Sequence, residues 1–489
     1  MKFLELHLLY RCPAQSAISH SVQSARFLLL LGTALISLSN CGITPPSLRK
    51  EISLPAQWKN SAHFPVVSPA RDVSRWWSRF ENPTLSRIIS AALKNSPDMA
   101  SAAARIKESR ARRDATRASL FPSLSGSAST NSSTSDREGS GRIADTSYSA
   151  GLNASWEVDL FGKTHSSVEV ASAQLGASEE TFNSVQASLA SEIAIAYTNL
   201  RADEAALEVL LRNVKTREET SQLAIWRTQA GEADSLESSQ ALSSLEQARA
   251  SVPSLQQSIS RLRNLIALLS GSAPGSLDAI LSSGKKNIPN PPRSLAVGIP
   301  ADTLRQRPDV RIAGYQLLAA AASTRTADAE RYPSLNLSGS LGLNTLAASK
   351  LFNPETATAG IIAGITSPIF DAGRIRSNIE AQGAAEEQAY QAYRSTVLTA
   401  LSEVEDSLIA CRRTAERLVL LEKATTSARE ADVIARQRYT AGEIDFVSVL
   451  ETQRSLLGLE SSLLSVRADR TIAYIQLYKA LGGGWSSGL

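Results

Sequence analysis

The sequence predicts a mostly α-helical fold with a small β part: a duplicated unit of long coiled-coil helical hairpins carrying four amphipathic strands. Three observations predict it. The turn Ala-Gly-Glu-x-Asp occurs at Gly231 and again at Gly442, an offset of 211 residues. The same offset places Pro97-Asp98 on Pro308-Asp309, Pro122-Ser123-Leu124 on Pro333-Ser334-Leu335, Gly162 on Gly373 and Gly271 on Gly482. Chance identities would not share one register, so the chain is a tandem repeat. Proline is absent from Gly162 to Ala230 and from Gly373 onward, which permits helices of unusual length. Finally, segments of two-residue alternation precede both proline-free stretches.

From the N-terminus, residues 1–40 read as a signal peptide of the lipoprotein type: scattered positive charge ends at Arg26, and the apolar run Phe27 to Leu38 follows. That run is too short for a membrane span. Leu38-Ser39-Asn40-Cys41 resembles the bacterial lipobox, with Asn40 where Gly or Ala is usual, and the resemblance implies that Cys41 carries lipid. Residues 41–84 are then an N-terminal lipidated extended segment. With Cys12 in the leader and Cys41 acylated, Cys411 has no partner for an intramolecular disulfide.

Repeat 1 covers 85–271 and repeat 2 covers 296–482; a Gly, Pro and Ser-rich linker at 272–295 joins them, and 483–489 form a C-terminal tail. Each repeat begins with a helix, Ser96 to Leu120 or Arg307 to Arg331, stopped by Phe121-Pro122 or Tyr332-Pro333. Strands follow at about 122–160 and 333–370. Tyr148, Ala150, Leu152, Ala154, Trp156 and Val158 alternate with Ser149, Gly151, Asn153, Ser155 and Glu157, so one face is apolar and the other wet. The first strand, Leu124 to Ser133, is weaker, and Thr134 to Asp145 reads as a loop. Helical hairpins occupy about 162–270 and 373–481. Leu401, Val404, Leu408, Cys411, Ala415 and Leu418 step by three and four, the spacing of a coiled-coil seam. The two Ala-Gly-Glu-x-Asp turns are the hairpin tips.

Composition narrows the function. Aromatics are only 5%, which favours long helices packed through small side chains. The formal charge of +4 falls to about +2 without the leader, and nucleic-acid binding gains no support from it. Beyond the leader only His63 and His165 remain, too separated for a metal cluster or triad. No P-loop, Gly-x-Ser-x-Gly or dinucleotide fingerprint occurs, so neither enzyme chemistry nor a cofactor is predicted.

Four amphipathic strands cannot close a barrel alone, because single-chain barrels begin at about eight. Three copies would pool twelve strands and gather the hairpins into a helical tube on the same axis. At this point the chain resembles a known family. The order helix, aromatic-Pro, strand pair, long hairpin, all duplicated, is similar to the TolC-like outer-membrane efflux proteins. The lipobox and Arg75 to Ile89, a Trp pair followed by Phe and a Pro-x-Leu helix start, resemble their lipoprotein, NodT-like branch. The resemblance implies a homotrimer with a 12-stranded barrel in the outer membrane, continuous with a periplasmic α-barrel. It further implies a periplasmic adaptor and an inner-membrane pump as partners.

The resemblance also implies a constricted periplasmic mouth after the second tip glycine. Matched to this chain, the acidic position is Glu451, with Val447 before it and Arg454 one turn on; Ser448 stands where some members carry a second carboxylate. Val447, Glu451 and Arg454 share one helix face, and Arg454 is placed to pair a ring of carboxylates. Gly231, Arg438, Tyr439 and Gly442 are the candidate adaptor-contacting tips. Two other readings stay open at this stage: the exit channel of a type I protein secretion system, and a periplasmic structural coiled coil.

Overall fold

The computed structural model describes residues 54–61, 66–67, 73–137, 141–283, 286–292, 297–298 and 300–485. The segment read as a signal peptide, Cys41 and His63 lie outside the described residues. Six strands are described: β1 (Val66–Val67), β2 (Ser123–Arg137), β3 (Gly141–Val158), β4 (Val297–Gly298), β5 (Ser334–Thr345) and β6 (Ala357–Thr366). The helices are α1 (Pro83–Asn95), α2 (Pro97–Ala118), α3 (Lys163–Gln229), α4 (Ser235–Leu269), α5 (Asp278–Ser283), α6 (Pro300–Gln306), α7 (Pro308–Ala329), α8 (Arg374–Thr440) and α9 (Phe446–Ala480). Shifted by 211, α2 becomes α7, α3 becomes α8 and α4 becomes α9, residue for residue.

The doubled turn has a local explanation. Gly231 and Gly442 both adopt φ +77°, the left-handed cap that ends a long helix. The next residue closes the motif: Glu232 N–H donates to Arg227 O, and Glu443 N–H to Arg438 O, each at 2.9 Å. Asp234 and Asp445 then cap the returning helices; Asp445 accepts from Ser448 N–H at 2.9 Å. Glycine ends one rod and aspartate starts the next, which is why the motif recurs once per hairpin.

Rods α3 and α8 have 67 residues each, roughly 100 Å at 1.5 Å per residue. Helix α3 packs against α4 on one side and α9 on the other, and α8 completes the row beyond α9. Helices α2 and α7 lie against the sheet-proximal halves of the rods. The main core sits at mid-length, where a short 3-10 helix, Trp76–Phe80, buries Trp76, Trp77 and Phe80. Trp76 stacks on Tyr478 at 5.5 Å, beside Ile193, Tyr197, Leu200 and Leu477. Asn82 caps α1 by accepting from Leu85 N–H at 3.0 Å, with Pro83 at its first position.

The strands form one antiparallel sheet in the order β2-β3-β5-β6, while β1 and β4 pair in parallel elsewhere. The expected loop from Thr134 to Asp145 is mostly strand. β2 runs to Arg137, β3 starts at Gly141, and their ladder is continuous from Ser123↔Ser155 to Arg137↔Gly141. Backbone pairing does not need apolar side chains, and Ser132 to Thr146 (3.2 Å) is a hydroxyl pair bridging the two strands.

The repeats also share a close approach. A Cβ on Gly271 would lie 2.4 Å from Asn95 O, and one on Gly482 would lie 2.9 Å from Gln306 O, both at positive φ. Gly442 has a similar φ but nothing within 4 Å. Gly482→Ala is therefore expected to lower stability by about 1–3 kcal/mol more than Gly442→Ala, because only the first adds a backbone clash to the φ penalty. Thermal melts followed by circular dichroism check the difference.

Candidate functional site

Two places gather the chemistry: the sheet and the hairpin tips. In the sheet, register sorts the side chains with one exception, Ile362, which falls in the row of Ser123, Ser155 and Ser338 on the otherwise polar face. Gly126, Leu152, Leu341 and Ala359 form one row, Leu124, Ala154, Gly339 and Ile361 the next, then Trp156, Leu337 and Ala363, then Val158, Leu335 and Ile365. Those rows all lie on one face. The intervening rows carry Ser127, Gly151, Gly342 and Thr358, then Ser125, Asn153, Ser340 and Gly360, then Glu157, Asn336 and Gly364. On this wet face Ser129 and Ser149 pair at 2.8 Å, and Asn153 Nδ2 donates to Ser127 Oγ at 3.2 Å.

Within one chain the apolar face is bare: Leu124 and Ile365 are largely exposed and Ile361 is 91% exposed. Each side edge is unpaired as well, β2 at one end of the order and β6 at the other. An exposed apolar face flanked by two open edges is incomplete as a soluble structure.

At the tips, Ala224, Ala241, Ala435, Phe446, Val449 and Leu450 form a small cluster around Tyr439. Tyr439 is 1% exposed, so its side chain is inside the tip and not on the surface that the sequence suggested for it. It joins the two hairpins. Its hydroxyl donates to Glu237 of the first hairpin, Arg227 lies over its ring at 4.9 Å, and Arg227 Nη1 donates to its carbonyl at 3.3 Å. Burial first, then the Glu237 carboxylate, pushes the Tyr439 hydroxyl well above the ordinary phenol range. Glu237 and Arg227 were not singled out from the sequence, yet a signal existed: 211 residues after Glu237 stands Ser448, so this is where the repeats differ.

The residues that the sequence resemblance assigns to a mouth fall on α9 just past the tip. Val447, Glu451 and Arg454 are all exposed on one face, as their spacing requires. Within one chain, among the described residues, no ion pair joins Glu451 to Arg454. Ser448 is committed to the cap, donating its hydroxyl to Asp445 Oδ1 at 2.6 Å, which together with its N–H holds the Asp445 carboxyl below the usual range. Arg454 lies near buried Arg217, whose pKa is lowered first by burial and then by the Arg454 charge. Arg217 is itself bonded, through Nε to Asn213 Oδ1 at 2.7 Å and through Nη1 to Ser244 O at 3.1 Å. Gly231, Arg438 and Gly442 are exposed at the tips.

Burial also decides the one described cysteine. Cys411 is buried in the midline core, and burial pushes its thiol up to about 12. Deprotonation is suppressed below that value in the folded state, so a maleimide at pH 8 is expected to leave Cys411 unmodified until denaturant is added. For Tyr439→Phe, loss of the bond to Glu237 is expected to weaken the tip by about 1–3 kcal/mol. Faster protease nicking near Gly231 and Gly442, with an unchanged midline core, would show it.

Comparison with known proteins places the chain. A sequence model of outer membrane efflux proteins matches residues 88–272 and 299–483, again offset by 211. The pyoverdine export outer membrane protein OpmQ of Pseudomonas aeruginosa is 32% identical over 467 residues, 94% of this chain and 97% of that protein. The solvent efflux pump outer membrane protein SrpC of Pseudomonas putida is 31% identical over 464 residues, 93% of this chain and 97% of that one. Among solved structures, the outer-membrane channel OprN superposes with a TM-score of 0.83 at 30% identity, covering 89% of this chain and 98% of that one. The open state of the Neisseria gonorrhoeae MtrE channel gives 0.78 at 28% identity, covering 89% and 97%. Matched over both repeats and along nearly its whole length, the chain belongs to the outer membrane efflux protein family, and its work is that of an efflux channel, not of an enzyme.

Proposed function

We propose that this chain is the outer-membrane exit duct of a tripartite efflux system, a lipid-anchored homotrimer that passes small molecules outward from a periplasmic adaptor and an inner-membrane pump. The observation that carries the reading is the sheet: a bare apolar face with open edges on β2 and β6. Pairing β6 of one copy with β2 of the next, three times over, closes twelve strands and leaves no edge in lipid. The apolar rows then meet acyl chains and the serine and asparagine rows line water.

Small molecules are the better cargo for two reasons. Relatives are named for solvents, toluene and pyoverdine, compounds of unlike polarity. Between Ser123 and Asn344 the wet face offers Ser, Thr, Asn and Gly, with Ile362 as an apolar exception and Glu157 as its charge at the helix end. Such a wall selects weakly, and choice of substrate falls to the pump. At the other end, Val447, Glu451 and Arg454 of three copies would converge as the constriction, with Arg454 of one copy pairing Glu451 of another. Gly231, Arg438 and Gly442 would meet the adaptor, with Tyr439 bracing the tip from inside. Cys41 would supply the lipid anchor, a secondary attachment beside the barrel.

The purified chain in detergent is expected to run as a heat-labile trimer and to conduct ions in a planar bilayer. Glu451→Gln should lower cation preference in the reversal potential, and Arg454→Ala should raise conductance severalfold by loosening the ring. Cys41→Ser should abolish acylation, read by mass spectrometry, while leaving trimer and conductance intact. A stable monomer that needs no detergent would sink the reading.

A further inference from the structure

We infer that Lys107 is the charge by which copies of this chain select one another, seated between Glu380 and Glu387 of the next copy where α2 of one copy lies along α8 of its neighbour. The inference rests on the duct reading and deepens it, since that reading requires copies to meet without saying which side chains choose the partner.

Within the chain α7 lies between two rods, α8 on one side and α3 on the other. Its equivalent α2 packs on α3, the counterpart of α8. The side of α2 that corresponds to the α3-facing side of α7 is bare. Ala100, Ala104, Lys107, Ala111, Asp114 and Ala118 follow one another there at spacings of three and four, and each is exposed. A matching bare face runs along α8. Glu380, Ala384, Glu387 and Gln391 stand 211 residues after Glu169, Ala173, Gly176 and Glu180 of α3, and all four are exposed.

The filled contact inside the chain fixes the alignment. Arg311 pairs with Glu180 at 2.6 Å, Arg325 pairs with Glu169, and a Cβ on Gly176 would lie 2.6 Å from the Tyr315 ring. The two helices therefore run antiparallel, and the offset carries these pairs to Ala100 against Gln391, Asp114 against Glu380, and Ala104 against Glu387. Changes on one side are answered on the other. Arg311 and Glu180 lose their charges together. The large ring over glycine becomes a small alanine opposite the longer Glu387, so bulk moves from one face to the other and the seam keeps its width. Asp114 meets Glu380, which accepts from Arg376 Nε at 3.0 Å, so an opposite charge stands beside it.

Lys107 has no equivalent in the internal contact, where Leu318 occupies its place. In the same alignment it falls opposite Ala384, with Glu387 and Glu380 one helical turn to either side. Glu387 accepts from Gln391 Nε2 at 2.7 Å and, among the described residues, has no ion pair within one chain. The balance of charge agrees: α2 carries six cations against three carboxylates, whereas α8 from Glu380 to Gln391 carries three carboxylates and no cation. Opposite charges on the two bare faces favour this pairing, and like charges disfavour α2 against α2 or α8 against α8. The contact recurs at every junction between copies, so one lysine acts once per seam.

The full chain in detergent tests the inference. Ala104→Cys combined with Glu387→Cys, treated with a short bismaleimide, is expected to give linked dimers and trimers at least tenfold above the parent chain, whose Cys411 is buried. Lys107→Glu puts a carboxylate between two others and is expected to cut the trimer fraction on native gels at least fivefold at low salt. Adding Glu387→Lys to that variant should restore the trimer, which a mere loss of folding would not allow. A trimer untouched by Lys107→Glu, or one that gives no linkage between positions 104 and 387, would overturn the inference. A parent chain that forms no trimer would strike the duct reading itself, so the two failures are told apart.

Discussion

A strand edge carries a row of N–H and C=O groups that water can satisfy and hydrocarbon cannot. The chain sets that problem and leaves it unsolved within one copy: β2 and β6 end the sheet, and its apolar rows face nothing. Any solution must be collective. The rest of the molecule is consistent with that demand, because each element that joins the sheet to the rods is also repeated, so a copy contributes equal arcs to a barrel and to a helical tube. The narrow row α4, α3, α9, α8 is one such arc, open at both flanks.

Repetition gives the arc its regularity, and the departures from it are where chemistry appears. Ser96 caps α2, but 211 residues later Arg307 stands before α7, buried and donating to Asp309 at 2.6 Å, Glu403 at 2.5 Å and Ala480 O at 2.8 Å. A second buried arginine, Arg201, bonds Glu204 and Leu281 O, fastening the inter-repeat helix α5 to α3. At the tips Tyr439 answers Thr228, and Glu237 answers Ser448. Arg307 fastens α7 to α8 and α9 within repeat 2, whereas Arg201 ties repeat 1 to the linker and Tyr439 with Glu237 ties one repeat to the other.

Much of this was legible in the sequence because long rods leave strong one-dimensional traces. The single offset carried the helix bounds of repeat 1 onto repeat 2, and two-residue alternation marked β3 and β5. The failures have separate causes. From Thr134 to Asp145 the residues are those of a loop, and the strand exists there because two backbones pair, not because side chains alternate. Pro253 sits inside α4, as the expected hairpin at about 162–270 already allowed. Tyr439 read as a surface tip residue because proximity to a turn does not show which way a ring packs. The exposed face of Val447, Glu451 and Arg454 followed from helical spacing alone, whereas the Glu237 partner of Tyr439 lies 202 residues away and has no local signature.

Packing along the rods also decides where motion is least costly. The midline core is broad, drawing Trp76, Tyr197, Ile266, Leu408 and Tyr478 from both repeats and from the segment before them. The tip cluster is small, seven buried residues of which three are alanine, with Tyr439 and Phe446 as its aromatic rings. Local opening free energies follow such gradients in buried apolar area. Separation of the two tips would break the Tyr439 contacts with Glu237 and Arg227 and disturb seven buried residues. The same movement at mid-length would uncover the aromatic stack and the bonded arginines. A rearrangement of the tips can therefore be confined to the last turns of the hairpins, while the sheet at the other end keeps its register.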